Sequence, residues 1–299
     1  MMPSVMIAGL GYTGRRIVTQ LAASDHRITT LARTPRPDLE TRNIEADLDA
    51  PASLRVLADQ QISHLIYLAP PAGASPASAS PTSDGDSDQR LTALLDCLPA
   101  LQQVCLASTT GVYGDHQGLR VDEHTPCRAQ TPRARARLKL ENTARSLCAA
   151  RNIALCMLRI AGIYGPGRLP LEALRRGDPI IDPAEAGPGN RIHVDDLAEA
   201  CITAVFAETP PDIVNVCDGH YLSSSDFTLR VAEYANLPEP PLISLDEAQR
   251  TFSPMRLSFI NESRTVDNTR LLQGLGVTLR YPTAEAGIKA SLRAENASN

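Results

Sequence analysis

The chain has 299 residues, of which 43% are hydrophobic and 21% charged, so it is long enough for one large or two small globular cores. Aromatic residues make up only 4% and tryptophan is absent, which argues against an aromatic platform for single-stranded nucleic acid. The formal net charge of −5 argues against a nucleic-acid partner in general, because binding to a phosphate backbone needs an excess of basic residues.

Cysteine usage and hydropathy both favour a cytoplasmic protein. The seven cysteines are scattered and never form a CxxC pair, a pattern typical of reduced thiols rather than disulfides or a zinc site. His116 and His124 lack partners at metal-ligand spacing, so we expect no metal. The amino-terminal residues do not resemble a signal peptide, and no stretch reaches the roughly 18 apolar residues of a membrane span.

Short apolar runs alternate with helix-like patterns through the first half of the chain. The apolar runs cover residues 5–8, 27–31, 62–69, 104–107 and 153–158. The helical patterns cover residues 15–23, 51–59, 88–98 and 132–150. This alternation predicts an α/β fold with a Rossmann-type, doubly wound parallel sheet.

Two changes in composition divide the chain. Residues 70–87 are rich in Pro, Ser, Gly and Ala, and we interpret them as a surface loop that either closes over a ligand site or has no role. Beyond residue 165 the elements become shorter and proline more frequent. We therefore expect a sheet domain over residues 1–165 and a smaller substrate-side lobe over residues 166–299, partly interleaved with it.

A GxGxxG motif follows the first apolar run directly and opens the first helical pattern. Its glycines are Gly9, Gly11 and Gly14, with Tyr12 and Thr13 between the last two. The first glycine permits a tight turn, the second lets backbone N–H groups approach a pyrophosphate, and the third allows close packing of helix on strand. In this context the motif predicts a dinucleotide-binding turn.

The second apolar run indicates which dinucleotide is bound. An acidic residue at its end would accept hydrogen bonds from the adenosine ribose, but Arg33 stands there instead. A guanidinium suits a 2′-phosphate, which favours NADP over NAD. NAD remains an alternative. In that case Arg33 is a solvated loop residue, and either Asp38 or Glu40 accepts the hydrogen bonds of the ribose if the loop folds back.

Several motifs in one order resemble the extended short-chain dehydrogenase/reductases, the NAD-dependent epimerase/dehydratase family. They are GLGYTG at 9–14, ADL at 46–48, LIYLA at 65–69, STTGVYG at 108–114, LRIAGIYGPG at 158–167 and IHVDDLA at 192–198. The resemblance implies that Asp47 and Leu48 hold the adenine ring. It also implies that Leu68, Ala69 and Pro70 line the cofactor. Helix 132–150 is a dimer surface in many relatives, so a homodimer is one expectation, and the arginine-rich face of this helix leaves a monomer open.

The resemblance implies a catalytic Ser/Thr, Tyr and Lys, and only the first is present. Thr109 matches the Ser/Thr position, whereas the motif alignment puts Arg133 at the tyrosine and Arg137 at the lysine. No YxxxK exists anywhere in the chain. The pKa of arginine is too high for ordinary proton donation, so Arg133 does not replace the tyrosine in kind, while Arg137 remains a cation that suits ribose or phosphate.

Other residues supply alternatives for catalysis and binding. Tyr113, Tyr164 or a bound water are candidates for proton transfer, but we favour a packing role for both tyrosines in the VYG and IYGPG turns. His193 precedes a helix for which Asp195 is the expected N-cap, and we interpret this histidine as structural. Alternating arginines at 133, 135 and 137 fan out on a helix, so we expect one to point at the cleft and the others to be solvated. The cluster is a candidate anion clamp for a sugar phosphate or nucleotide diphosphate.

Two functions are consistent with these motifs. The first is an NADP(H)-dependent oxidoreductase or epimerase acting on a small polar, nucleotide-sugar-like substrate, with Thr109 orienting the substrate oxygen. The second is a catalytically impaired NADP(H)-binding sensor or regulatory protein, which the replacement of the Tyr/Lys dyad favours.

Overall fold

The computed structural model describes residues 3–34, 36, 38–39, 41–71 and 86–297. Its strands are β1 Ser4–Ala8, β2 Arg27–Ala32, β3 Arg42–Glu45, β4 His64–Tyr67, β5 Gln103–Thr109, β6 Arg120–Val121, β7 Ala154–Ile160, β8 Gly162–Tyr164, β9 Ile180–Ile181, β10 Arg191–His193, β11 Ile213–Val216, β12 Leu242–Ile243 and β13 Thr265–Val266. Its α-helices are α1 Tyr12–Leu21, α2 Asp86–Asp96, α3 Pro132–Ala150, α4 Leu171–Arg175, α5 Val194–Phe206, α6 Ser224–Ala235, α7 Leu245–Thr251, α8 Pro254–Ile260 and α9 Ala284–Ala297.

A seven-stranded parallel sheet forms the centre of the protein, in the order β11-β7-β5-β4-β1-β2-β3. The chain runs outward from β1 to β3 on one side and resumes at β4 on the other, so the direction of winding reverses between β1 and β4. In such sheets ligands bind at the carboxyl ends of the strands, at the point of reversal. The predicted Rossmann-type fold is confirmed.

Strand β1 shows why both faces of the sheet are covered. Val5 and Ile7 pack into an apolar cluster with α1 and α5, whereas Met6 and Ala8 pack into a second cluster with α2 and α3. All four side chains are fully buried. A strand buried on both faces is a continuous apolar run, which is the pattern that made β1 recognisable in the sequence.

The carboxy-terminal part of the chain contributes to this sheet and also forms a cluster of its own. Strand β11 pairs with β7 at the edge of the sheet, and α5 packs against α1. A separate apolar cluster joins Tyr164, Leu174, Phe227, Val231 and Ile288. The boundary at residues 165/166 stays a prediction.

The structure corrects some local expectations. The helical pattern of residues 51–59 is confirmed only as a 3₁₀-helix, which covers Pro51–Leu57. Strands β3 and β11 carry only four residues each and were not predicted. Residues 72–85 of the predicted surface loop lie outside the described residues.

Candidate functional site

The three glycines of the GxGxxG turn have different surroundings. Gly9 has a φ of +113°, a conformation that side chains rarely adopt. A Cβ on Gly14 would overlap the carbonyl oxygen of Gly9, so this glycine permits α1 to approach β1. A Cβ on Gly11 would meet nothing within 4 Å. The turn is therefore tightly packed at its first and third glycines and open at its second, as a phosphate-binding turn requires.

The first turn of α1 is open to a ligand. Its N-cap is Gly11, and no side chain caps the helix. The first N–H groups of any α-helix lack an intrahelical acceptor, and here no capping side chain accepts from them either. The positive end of the helix dipole is therefore available to an anion. Tyr12 ties this end of α1 to the loop after β8, because its hydroxyl donates to the carbonyl of Pro166 over 2.9 Å. Burial raises the pKa of Tyr12 to about 12, so the phenol stays protonated.

A cavity of about 390 Å³ lies over the turn, and we call it the turn cavity. Of the residues expected to hold the cofactor, those that line it are Gly9, Gly11, Tyr12, Thr13, Gly14, Leu68 and Pro70. Thr109, Arg133 and Arg137 line it as well. The strand ends meet here because Ala8 of β1 is in register with Tyr67 of β4.

The remaining expected cofactor residues, Arg33, Asp47, Leu48 and Ala69, do not line the turn cavity. Arg33 and Asp47 follow the neighbouring strands β2 and β3, joined there by a hydrogen bond from the Ala46 N–H to the Ala32 carbonyl over 3.1 Å. The Arg33 side chain is exposed, and Leu48 packs partly against the core. Asp38 is exposed as well, and Glu40 lies outside the described residues.

Arg137, at the position of the family lysine, is held by backbone oxygens. Its Nη1 donates to the carbonyl of Ala69 over 3.2 Å and to that of Ala107 over 2.9 Å. Burial lowers the pKa of Arg137 to about 10, which still leaves it charged at neutral pH. The guanidinium therefore joins the ends of two strands at the floor of the turn cavity and retains other N–H donors.

Arg133, at the position of the family tyrosine, is exposed at the mouth of the cleft. Its guanidinium carbon lies 4.5 Å from the centre of the Phe259 ring in α8. Arg135 points away and donates to the carbonyl of Gln130. The three alternating arginines thus fan out as expected, with two of them, 133 and 137, rather than one on the cleft side.

A second cavity of about 450 Å³ adjoins the first, and we call it the outer cavity. The residues that line both cavities are Thr109, Arg133, Ile160, Ala161, Ile163 and Arg168. The two cavities are therefore halves of one cleft. Thr109 ends strand β5 at this junction, and its Oγ1 accepts a hydrogen bond from the Gly111 N–H over 3.2 Å. Its O–H remains a donor for a ligand.

Neither candidate tyrosine offers its hydroxyl to the cleft. Tyr113 is fully buried and donates to Asn215 Oδ1 over 2.7 Å, and burial raises its pKa to about 12. Tyr164 touches the outer cavity, but its hydroxyl lies against Gly287 of α9 and has no hydrogen-bond partner among the described residues. Burial raises the pKa of Tyr164 as well.

His193 caps helix α5, which corrects the expectation that Asp195 does so. The histidine Nδ1 accepts from the Asp195 N–H over 3.2 Å, so the helix begins at Val194. Its Nε2 lies 3.2 Å from Ser291 Oγ in α9. Burial lowers the pKa of His193 to about 4, so the ring is neutral. Asp195 instead forms an ion pair with Arg16 of α1.

Sequence reasoning missed several cleft residues. Arg168 follows the GPG of a recognised motif and lies with its guanidinium carbon 4.1 Å from the centre of the Tyr12 ring. Glu262 and Arg264 form a largely buried ion pair of 3.0 Å at the wall of the outer cavity. Arg168 was recognisable from its position after the motif. No sequence signal pointed to Glu262 or Arg264, because only tertiary contacts bring them to the cleft.

The described residues offer neither a metal-binding cluster nor a membrane-spanning helix. No group of three or more His, Cys, Asp and Glu side chains is placed to hold a metal ion in the part of the chain that the structure covers. Within the same ranges, no helix has the length and apolar character needed to cross a membrane.

Both the sequence and the fold are similar to those of known proteins. Residues 5–217 match the model of the NAD dependent epimerase/dehydratase family. A functionally unknown conserved protein from Silicibacter pomeroyi is 31% identical, with a TM-score of 0.77 over 98% of this chain and 99% of that one. No curated protein matches.

Two more distant structures share the fold. MoeE5 in complex with UDP-glucose and NAD is 24% identical, with a TM-score of 0.77 over 99% of both chains. UDP-glucose 4-epimerase from Thermus thermophilus in complex with NAD is 21% identical, with a TM-score of 0.80 over 99% of this chain and 100% of that one. The expected resemblance is confirmed, and the chain belongs to the NAD dependent epimerase/dehydratase family.

Proposed function

We propose that the protein binds NADP(H) in the turn cavity and acts as an oxidoreductase or epimerase on a small polar substrate in the outer cavity. The observation that carries this proposal is the continuity of the two cavities at Thr109. A hydroxyl at that junction suits a substrate oxygen next to a bound nicotinamide ring. The UDP-glucose held by MoeE5 makes a nucleotide sugar one candidate substrate.

The residues around the turn fit a dinucleotide. The uncapped start of α1 and the open space at Gly11 suit a pyrophosphate, and Leu68 and Pro70 supply an apolar wall. Arg33 follows β2, at the position where an acidic residue would favour NAD, and its guanidinium suits an adenosine 2′-phosphate, which supports NADP. Asp47 and Leu48, on the next strand end, are our candidates for the adenine contact, with Ala69 beside the cofactor.

Three residues of the chain are our candidates for positioning the substrate, holding the cofactor and accepting a proton. When bound, nicotinamide supplies hydride transfer. Thr109 orients the substrate oxygen, and Arg137 holds the nicotinamide ribose with the donors that its backbone contacts leave free. Among the residues that line the two described cavities, Glu262 is the only carboxylate, and its Oε1 has no partner in the described structure. Glu262, or a water that it binds, is our candidate proton acceptor.

A sensor without catalysis is the second candidate. The observation that favours it is the loss of the Tyr/Lys dyad, because Arg133 and Arg137 stand at the positions of the tyrosine and the lysine. In addition, neither Tyr113 nor Tyr164 presents its hydroxyl to the cleft. Such a protein would bind NADP(H) and change its affinity for a partner with the redox state of the nucleotide.

A substitution at Thr109 separates the two candidates. Purified protein is screened for deuteride transfer from 4-deuterated NADPH to keto compounds, and for hydride transfer from hydroxy acids and nucleotide sugars to NADP⁺. In an enzyme, we expect Thr109→Ala to lower turnover at least tenfold at unchanged NADPH affinity, while the exposed Thr19→Ala in α1 serves as control. Binding of NADPH without transfer across the whole panel would overturn the enzyme and favour the sensor.

Three further expectations remain our proposals. They are the two-lobed division at residues 165/166, a homodimer through α3, and a place in the cytoplasm. Sedimentation of the purified protein tests the second.

A further inference from the structure

The junction of the two cavities carries two arginines that have no ion-pair partner among the described residues. Arg133 and Arg168 both line the turn cavity and the outer cavity, and both are exposed. No carboxylate of the described residues lies within 4.0 Å of either guanidinium. The acids nearby are engaged elsewhere, because Glu262 pairs with Arg264 and the Glu295 Oε1 accepts from the Gly167 N–H over 2.5 Å.

Aromatic rings hold both guanidiniums in place. Arg133 stacks on Phe259 and Arg168 on Tyr12, and Tyr12 is itself fixed by its hydrogen bond to Pro166. Stacking uses the face of a guanidinium and leaves its N–H edge for a ligand. A planar fork of donors matches the oxygens of a carboxylate or phosphate, which it binds in bidentate fashion.

The other two arginines of the outer cavity are already occupied. Arg191 donates to the carbonyls of Leu222 and Ser223, and Arg264 donates to the carbonyl of Gly114 and to Glu262. They shape the wall of the cavity. Of the four arginines that line the outer cavity, Arg133 and Arg168 therefore keep donors for a ligand, and both lie at the junction with the turn cavity, which Thr109 also lines.

We propose that Arg133 and Arg168 form an oxyanion clamp, and that the substrate is a small molecule with a carboxylate or phosphate group next to its reacting carbon. This inference rests on the proposed function for the identity of the reacting end, but the clamp itself is a property of the free protein. The arginine at the tyrosine position thereby acquires a binding role in place of proton transfer.

The test is a calorimetric titration of the full chain with malonate and with inorganic phosphate, at constant ionic strength. It is run on the free protein and on protein saturated with NADPH. We expect at least one of the two anions to bind, and Arg133→Gln and Arg168→Gln each to weaken that binding at least tenfold. Arg135→Gln, two residues from Arg133 on the same helix and outside both cavities, is the matched control and retains wild-type binding.

The outcomes separate the clamp from the proposed function. If neither anion binds, or if Arg135→Gln weakens binding as much as Arg133→Gln does, the clamp is wrong. If the anions bind as expected while NADPH does not bind, the clamp stands and the proposed function falls. Thermal unfolding of each variant shows that it is folded, and both clamp residues are exposed enough for substitution to leave the core intact.

Discussion

At the scale of single residues, the three glycines of the turn have separable roles. Gly11 has ordinary backbone angles and open space around its Cα, so a methyl group there leaves the fold undisturbed but enters the space expected for the pyrophosphate. Gly14 lacks room even for a methyl group, because the carbonyl of Gly9 occupies it. We therefore expect Gly11 to matter for ligand binding and Gly14 for the stability of the fold.

We expect Gly11→Ala to retain the wild-type melting temperature and to weaken NADPH binding at least tenfold. Gly14→Ala, its matched partner, should lower the free energy of unfolding by about 1–3 kcal/mol, because overpacking forces backbone shifts. Thermal unfolding and calorimetric titration measure both variants. The division of roles would be wrong if Gly11→Ala destabilised the protein as much as Gly14→Ala.

At the scale of secondary-structure elements, a buried ion pair joins the sheet to α3 below the cleft. Glu141 of α3 and Arg159 of β7 are both almost fully buried, and their closest contact is 2.8 Å. The Ser108 hydroxyl of β5 donates to the same carboxylate. Three elements that carry cleft residues therefore depend on one charged group.

Removing the Glu141 carboxylate should destabilise the fold, because it leaves the buried charge of Arg159 unpaired. We expect Glu141→Gln to lower the free energy of unfolding by about 3–5 kcal/mol, because Arg159 keeps its charge in a buried site. Glu172→Gln breaks the exposed pair with Arg175 and should cost less than about 1 kcal/mol. Urea unfolding measures both, and equal effects would show that the Glu141 pair is not special.

Some secondary-structure elements were predictable from the sequence and others were not. Strand β1 and helix α3 were predicted within one residue of their observed bounds because each is bordered by clear glycine or proline signals. Strand β3 was not predicted, since its four residues alternate too briefly to show a period. The glycine turn is a local motif and was recognisable. Glu262 lies just before β13, which long-range contacts such as its pairing with β6 hold in place, so local patterns do not reveal its position in the cleft.

At the scale of the whole molecule, His193 links the two parts of the chain. It caps α5, which packs on the sheet, and contacts Ser291 and Tyr281 near the carboxy terminus. Burial holds its folded-state pKa near 4, below the usual value of 6.5. The unfolded chain thus binds the proton more tightly. The stabilisation by neutral His193 is complete above about pH 6.5 and is lost as pH falls towards 4.

A pH series of unfolding experiments tests this link. We expect the histidine to account for a loss of up to about 3 kcal/mol between pH 7 and pH 4. Asp218 acts in the opposite direction, because burial raises its pKa to about 6. The measured quantity is therefore the difference between wild type and His193→Asn, which keeps a capping side chain. A difference independent of pH would contradict the assignment of a neutral buried histidine.

Calorimetric titration of the wild-type protein with NADPH and NADH shows whether the cleft binds NADP(H), as we claim. The same titration of Arg33→Ala examines the phosphate contact, with Arg27→Ala at the other end of β2 as control. We expect NADPH to bind at least tenfold more tightly than NADH, and the preference to disappear in Arg33→Ala alone. If neither nucleotide binds the wild-type protein, the glycine turn is only architectural and the claim is wrong.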